Sequence, residues 1–302
     1  MSPDPRGART PSPTPLAAVW RRARVTRCAP DGALYWDLRV EAEGLPAGTP
    51  GQFSLLAPAA PGAWDPLLPR PLSLLDAGAG WQRFLFKVVG RGTAQLAALR
   101  AGDRVGLLGP LGRAFGGLER DAEAAGEIVL VGGGVGIPPL HFLARRLSAA
   151  GRPCRALFGF NREAEIPRAL LAALDVADAA GTEPATRPAA ELCTLDGSAG
   201  VRGNPVARLV ETLGDGPLAI KACGPAPMLA ALRAAARAGD ALELSLEERM
   251  ACGVGVCRGC VVPVVDGAGG WRYAAICREG PVFDAASLAA SAAAIALEPG
   301  HE

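Results

Sequence analysis

The sequence predicts three parts in order: a small antiparallel β-barrel, a parallel α/β domain and a small C-terminal cysteine-bearing segment. Three observations predict it. Short strand-like runs fill residues 19–118, strand–glycine loop–helix units fill 119–245, and four cysteines gather within 246–302. The chain has 302 residues, enough for two ordinary domains at about 150 residues each.

The barrel is read from its periodicity. In "ALYWDLRVEA", Leu34, Trp36, Leu38 and Val40 fall on one face and Tyr35, Asp37, Arg39 and Glu41 on the other, the pattern of a half-buried strand. "GQFSLLA", "RPLSLLDA", "WQRFLFKVVG" and "DRVGLLGPLG" are further strands, separated by Gly, Pro and Asp. Strands at this spacing close most readily as a barrel. From residue 119 the style changes. "EIVLVGGGVGIPPLHFLARRLSAAG" reads as strand, loop and helix, "CRALFGF" as a second strand, and "LAIKACGPAPMLAALRAAARAG" as another strand–turn–helix unit. Such alternation implies a parallel sheet.

Composition excludes several classes. A net charge of +1 argues against a general nucleic-acid surface, which needs a basic excess. The opening "MSPDPRGARTPSPTP" has little to bury, so residues 1–18 read as a disordered tail, and no apolar stretch follows to make it a signal peptide. The longest apolar run is broken by glycines and prolines, so no membrane span is expected and the chain reads as soluble and cytoplasmic. Eight cysteines without a secretion signal argue against a disulfide framework. With two histidines, His141 and His301, acid–base or nucleophilic catalysis by histidine has almost no candidate, and His141 is expected to pack on its helix. Chemistry is left to cofactors.

Cys252, Cys257, Cys260 and Cys277 are spaced C-x4-C-x2-C-x16-C. The first three follow the plant-type ligand spacing for a 2Fe–2S cluster, in which four thiolates converge on two irons. Gly253, Gly255 and Gly259 permit the tight wrapping this needs. The alternative is structural zinc, which usually takes two C-x2-C knuckles where this chain has one.

Two stretches suit phosphate. "RPLS", Arg70–Ser73, opens a barrel strand, and "FKVVGRGT" leads through Gly92 and Thr93 into the helix-like "AQLAALRAGD". Thr93 is the expected N-cap, free N–H groups at the helix start suit a pyrophosphate, and Arg70 can add a charge-assisted bond. In "VGGGVGIPPL", Gly132, Gly133, Gly134 and Gly136 let the backbone approach a second pyrophosphate before a helix beginning near Pro138. The loop departs from G-x-G-x-x-G.

Barrel, "RPLS", "GGGVGIPP" and "CGPAPML" together resemble the ferredoxin–NADP reductase superfamily of flavoproteins. That resemblance implies FAD held by Arg70, Pro71, Leu72, Ser73, Gly92 and Thr93. Leu85, Phe86 and Lys87 fall on the flanking strand, and Cys223 and Gly224 lie beside the nicotinamide of NAD. The fold class it implies is an antiparallel FAD-binding barrel, a parallel α/β nicotinamide-binding domain and a small 2Fe–2S segment. "LEERMACGVGVCRGC" and "CREGPVFDA" narrow the resemblance to electron transfer subunits of class 1B dihydroorotate dehydrogenase. That family implies FAD, one 2Fe–2S cluster, NAD as co-substrate, an FMN-containing catalytic partner subunit and a heterotetramer of two subunits each. Two alternatives stay open: the related subunit of an NADPH:ferredoxin oxidoreductase or sulfide dehydrogenase, and a redox-sensing module without turnover. Cys252 favours the dihydroorotate reading, because some of those relatives carry Asp there. Arg162 in "NRE" leaves NADP open beside NAD.

Overall fold

The computed structural model describes residues 19–58, 65–116, 127–171, 175–176, 189–266 and 270–289. The expected tail, residues 1–18, and the boundary between 118 and 119 lie outside the described residues.

Six strands close a barrel: β1 (Trp20–Asp31), β2 (Tyr35–Glu41), β3 (Phe53–Ala57), β4 (Arg70–Gly78), β5 (Trp81–Lys87) and β6 (Arg104–Leu111), in the order β1-β2-β5-β4-β3-β6. The five expected runs are all strands. β1 was not expected. Its inward positions are small or aliphatic, Ala23 and Val25, and arginines alternate with them on the outside.

The alternation in β2 is only half solvent-facing. Leu38 and Val40 fill the barrel, as expected, but Leu34 lies in the preceding turn and is exposed. On the supposed wet face Tyr35 and Asp37 are buried. Tyr35 packs in a core with Phe160 and Ile166 of the α/β domain. Asp37 accepts from Arg27 Nε at 2.6 Å and Arg83 Nε at 2.8 Å. Burial opposes its charge, but Arg83 and Arg27 outweigh that and hold the carboxyl below its usual range.

Between β5 and β6 lies α1 (Arg91–Ala97). Thr93 is not its N-cap, as the sequence predicted, but its third residue. Gly90 caps without a side chain, so the hydroxyl comes from inside the turn: Thr93 Oγ1 accepts from Val89 N at 2.9 Å and Gly90 N at 3.1 Å. The helix also ends early. Arg100–Asp103 form a turn in which Arg100 N donates to Asp103 Oδ2 at 2.8 Å.

The second sheet contains β7 (Glu127–Gly133), β8 (Arg155–Phe160), β9 (Asp175–Val176), β10 (Ala189–Thr194), β11 (Val201–Arg202), β12 (Leu218–Cys223) and β13 (Ala241–Ser245). Helices α2 (Ile137–Ala149), α3 (Arg168–Leu171), α4 (Pro205–Glu211) and α5 (Ala226–Ala235) lie between them. The C-terminal segment adds the hairpin β14 (Val261–Val265) and β15 (Trp271–Ala275), then α6 (Ile276–Glu279) and β16 (Val282–Asp284).

The sheet order is β11-β10-β8-β7-β12-β13-β16, with β9 on β10. It is parallel as expected except at one edge, where β16 pairs antiparallel with β13. The cysteine segment thus completes the sheet. Beside that edge Lys221 is buried, its Nζ 2.9 Å from Glu243, whose carboxylate also accepts Gly116 N at 2.9 Å. Paired so, a buried charge is tolerated.

Helix α2 packs on β4, where Arg145 pairs with Asp76. His141 lies within this contact, buried, with the backbone of Leu75 beside its ring. Burial, then the Arg145 charge, push its pKa from 6.5 down to about 4. The unfolded chain therefore binds the extra proton between these values. Stability tied to neutral His141 is full above pH 6.5 and is lost as pH falls towards 4, by on the order of 3 kcal/mol. We expect His141→Phe to flatten the fall in urea midpoint between pH 7 and pH 4.5. Identical pH profiles for variant and parent would refute this account.

Candidate functional site

The residues expected to hold a flavin come together at one end of the barrel. Arg70 opens β4 and reaches across the start of α1. A Cβ on Gly92 would meet Arg70 Nε, so the guanidinium lies on the helix's first turn in the room that glycine leaves there. Arg70 Nη1 is steadied by Leu68 O at 2.8 Å. Pro71, Leu72 and Ser73 are half-buried along the same strand, while Leu85 and Phe86 are buried and serve packing. Lys87 Nζ lies 3.6 Å from Glu165 of the α/β domain and 5.0 Å from the centre of the Tyr35 ring. Between Lys87 and α1, Val88 and Val89 expose apolar surface, Val89 being 82% exposed. A guanidinium, a helix start and bare valines side by side suit a pyrophosphate with a flat ring attached. Val88, Val89 and Glu165 were missed in the sequence. The two valines resemble any strand end, and Glu165 reaches Lys87 only through the fold.

The nicotinamide markers meet at the switch point of the sheet, where β8 and β10 lie to one side of β7 and β12 to the other. Gly132 and Gly133 belong to β7, and Gly134–Gly136 form a 3₁₀ turn into α2. The glycines do different work. A Cβ on Gly136 would overlap the backbone of Cys223 and Gly224, and one on Gly224 would come within 2.9 Å of Gly133 N. These positions let the two loops touch. Gly134 has φ +53° and open space where a Cβ would stand, so its backbone is the part an incoming pyrophosphate can reach. Cys223 is buried, its pKa raised to about 12 chiefly by burial. It is a neutral thiol, which suits packing against a ring and not proton transfer.

The four clustered cysteines also come together. Cys252 is in hydrogen-bond contact with Cys257, and Cys277 with Cys260. Backbone N–H groups point at the sulfurs: Gly255 N donates to Cys277 Sγ at 3.1 Å and Cys257 N to Cys252 Sγ at 3.4 Å. Burial raises the Cys252 pKa, but the N–H groups of Cys257, Val254 and Val256 outweigh it and bring the thiol to about 6. Cys277 is pushed up to about 12 by burial and by Cys260. Two pairs, one half-open and one buried, fit a group with two metal centres. Among the described residues no three or more His, Cys, Asp or Glu side chains are gathered closely enough to hold a metal ion as they stand. Gly253 at φ +68° and Gly255 at φ +82° need glycine as expected. Gly259 does not. The remaining left-handed residue is Arg258, φ 57°, anchored by Arg258 Nη2 donating to Tyr273 O at 2.9 Å.

The thiol loop lies against β3, the strand beside β4. A Cβ on Gly253 would stand 2.5 Å from Leu55 Cδ1, and Leu55 is the register partner of Pro71. Phe53, Leu55, Cys260 and Cys277 share one buried core.

Barrel, switch-point sheet and thiol loop define a flavin- and nicotinamide-type reductase with an appended iron–sulfur segment. Residues 247–289 match the iron–sulfur cluster binding domain of dihydroorotate dehydrogenase B. The chain is 41% identical over 243 residues, 79% of its length and 86% of the relative's, to the electron transfer subunit of dihydroorotate dehydrogenase B (NAD(+)) of Geobacillus thermodenitrificans. With the Listeria monocytogenes subunit of the same name it shares 34% over 253 residues, 83% of its length and 91% of the relative's. Among solved structures, the NADH-dependent reduced ferredoxin-NADP oxidoreductase shares the fold, with TM-score 0.70, 24% identity and coverage of 91% of this chain and 92% of that one. The chain belongs to the family of dihydroorotate dehydrogenase B electron transfer subunits. It is an oxidoreductase subunit, and its family implies a catalytic partner.

Arg70→Ala should weaken FAD retention by about 1.5–3 kcal/mol, the usual worth of a charge-assisted bond. Flavin content after gel filtration checks this; equal retention would reduce Arg70 to a surface residue.

Proposed function

We propose that the chain passes electrons from a partner's FMN, through a 2Fe–2S cluster and FAD, to NAD⁺, with dihydroorotate as the partner's substrate. The observation that carries this reading is the contact of Gly253 on Leu55 of β3, whose register partner on β4 is Pro71, so that the thiol loop stands one strand from the residues we assign to the flavin. The cluster, when bound, carries single electrons, while FAD exchanges a hydride with the nicotinamide. Everything else falls to the chain's own side chains and backbone.

Cys252, Cys257, Cys260 and Cys277 hold the cluster. Arg70, Gly92 and the first turn of α1 hold the FAD pyrophosphate; Pro71, Leu72 and Ser73 line the ring, with Lys87 at the flank. Gly134 meets the pyrophosphate of NAD, and Gly136, Cys223 and Gly224 form the floor under its nicotinamide. Domain limits at 19–118, 119–245 and 246–302 follow the same division, though β16 crosses back into the sheet.

Beside exposed Cys257 stands Val256, 79% exposed, and Arg258 Nη2 ties the loop to Tyr273 O of the hairpin, whose ring meets Trp271 edge to face at 5.1 Å. Exposed aromatics of this kind are enriched where proteins dock. We assign this face to the catalytic subunit, two of each forming the complex. Among the described residues no helix is long and apolar enough to cross a membrane. All eight cysteines are unpaired, which suits the cytoplasm.

The purified protein should contain about one FAD, two irons and two labile sulfides per chain. Zinc without labile sulfide would overturn the cluster.

Cys257→Ser separates the two halves of the path. Reduction of a flavin-accepting dye by NADH should persist, while NAD⁺-linked oxidation of dihydroorotate by the reconstituted complex should collapse. Gel filtration confirms that the variant still binds its partner. If it binds, lacks the cluster and works at the parent rate, the cluster is not on the path.

A further inference from the structure

Arg278 stands beside the last thiol of the cysteine segment. Cys277 is buried in the single turn α6, and Arg278 follows it on the exposed side. Gly255 of the thiol loop meets both. Its N–H donates to Cys277 Sγ at 3.1 Å. A Cβ added to it would stand 2.9 Å from Arg278 Cδ and 3.1 Å from Arg278 Cβ. The arginine stem is therefore laid across the loop at the residue whose backbone touches the sulfur.

The charges around it are committed elsewhere. Glu279, the next residue, meets Arg272 Nη1 at 2.6 Å through Oε2 and accepts Ala275 N at 3.1 Å through Oε1. Arg258, the other cation on the loop, donates to Tyr273 O at 2.9 Å. Among the described residues no carboxylate or carbonyl holds the Arg278 guanidinium. A stem fixed by packing and a charge left unmatched give a standing positive field beside Cys277.

What that field acts on rests on the cluster reading proposed above. Four thiolates and two sulfides outweigh the charge of two ferric irons, so a 2Fe–2S group is anionic, and an added electron makes it more so. A cation at its side favours the reduced form by Coulomb attraction, and the charge around a cluster is one of the quantities that set its potential. The N–H groups of Gly255 and Cys257 act in the same direction, but they belong to the backbone of the loop. Arg278 is the part a side-chain substitution can remove.

We propose that Arg278 raises the reduction potential of the cluster held by the four cysteines, easing the transfer of one electron from the partner's FMN, which is oxidised by that electron, before FAD takes it on. Arg278→Met keeps a stem against Gly255 and removes the charge, while Arg278→Lys keeps the charge. The full chain, loaded with FAD and cluster and without its partner, is titrated with dithionite at low salt, and the electron paramagnetic resonance signal of the reduced cluster is followed against potential. At the parent's midpoint, the ratio of reduced to oxidised cluster should fall roughly tenfold in Arg278→Met, about 59 mV for a one-electron couple. Arg278→Lys should stay near the parent. The gap between parent and Arg278→Met should narrow at about 1 M salt, because an exposed charge is screened.

An unmoved midpoint in Arg278→Met overturns the proposal. So does an equal fall in Arg278→Lys, or a gap that salt does not narrow, since either makes packing and not charge the cause. Loss of iron and sulfide from both Arg278→Met and Arg278→Gln would show that the residue serves to hold the loop, and the proposal fails. A parent without labile sulfide removes the cluster reading itself, whereas a parent with the signal and an unmoved variant leaves that reading standing and removes only the role of Arg278.

Discussion

The packing of Leu55 ties the molecule together. On one side it pairs in register with Pro71, in the strand that begins with Arg70; on the other it takes the backbone of Gly253, which has no side chain to hold the thiol loop away. The same core runs through Phe53, Cys260 and Cys277. A larger residue at 253 would need both a left-handed backbone and space that Leu55 already fills. One apolar contact thus fixes how near the thiol loop lies to β3 and, through its register with Pro71, to β4.

The arrangement has a consistent electrostatic character. Charges inside the fold are paired: Asp37 with Arg27 and Arg83, Lys221 with Glu243, and Glu165 with Lys87 and Arg162. The thiols divide likewise, Cys260 and Cys277 dry, Cys257 exposed and Cys252 between. Cys223 is buried and neutral, in keeping with a protein whose reactive atoms belong to its cofactors.

Much of this was legible in the sequence, and for reasons that can be stated. Period-two patterns revealed β2 to β6 because their core faces are apolar, and cysteine spacing is a local property, so four candidate ligands could be named without knowledge of the fold. What depended on distant neighbours was not visible. β1 hid behind its arginines. Thr93 was assigned to the wrong helical position because a glycine cap leaves no side-chain signature. Tyr35 and Asp37 read as surface because the domain and the arginines that cover them come from elsewhere in the chain. The glycines of the nicotinamide loop were read as one phosphate cradle, whereas Gly136 is small for the sake of Cys223 and Gly134 alone faces open space.

The pairing of β16 with β13 carries a consequence for how the protein is made. Until residues 282–284 leave the ribosome, β13 is an uncovered sheet edge, the kind of surface that invites pairing with another chain. The strand that covers it follows Cys277 directly, after a single turn of helix. Protection of the edge and gathering of the last thiol are therefore coupled in time.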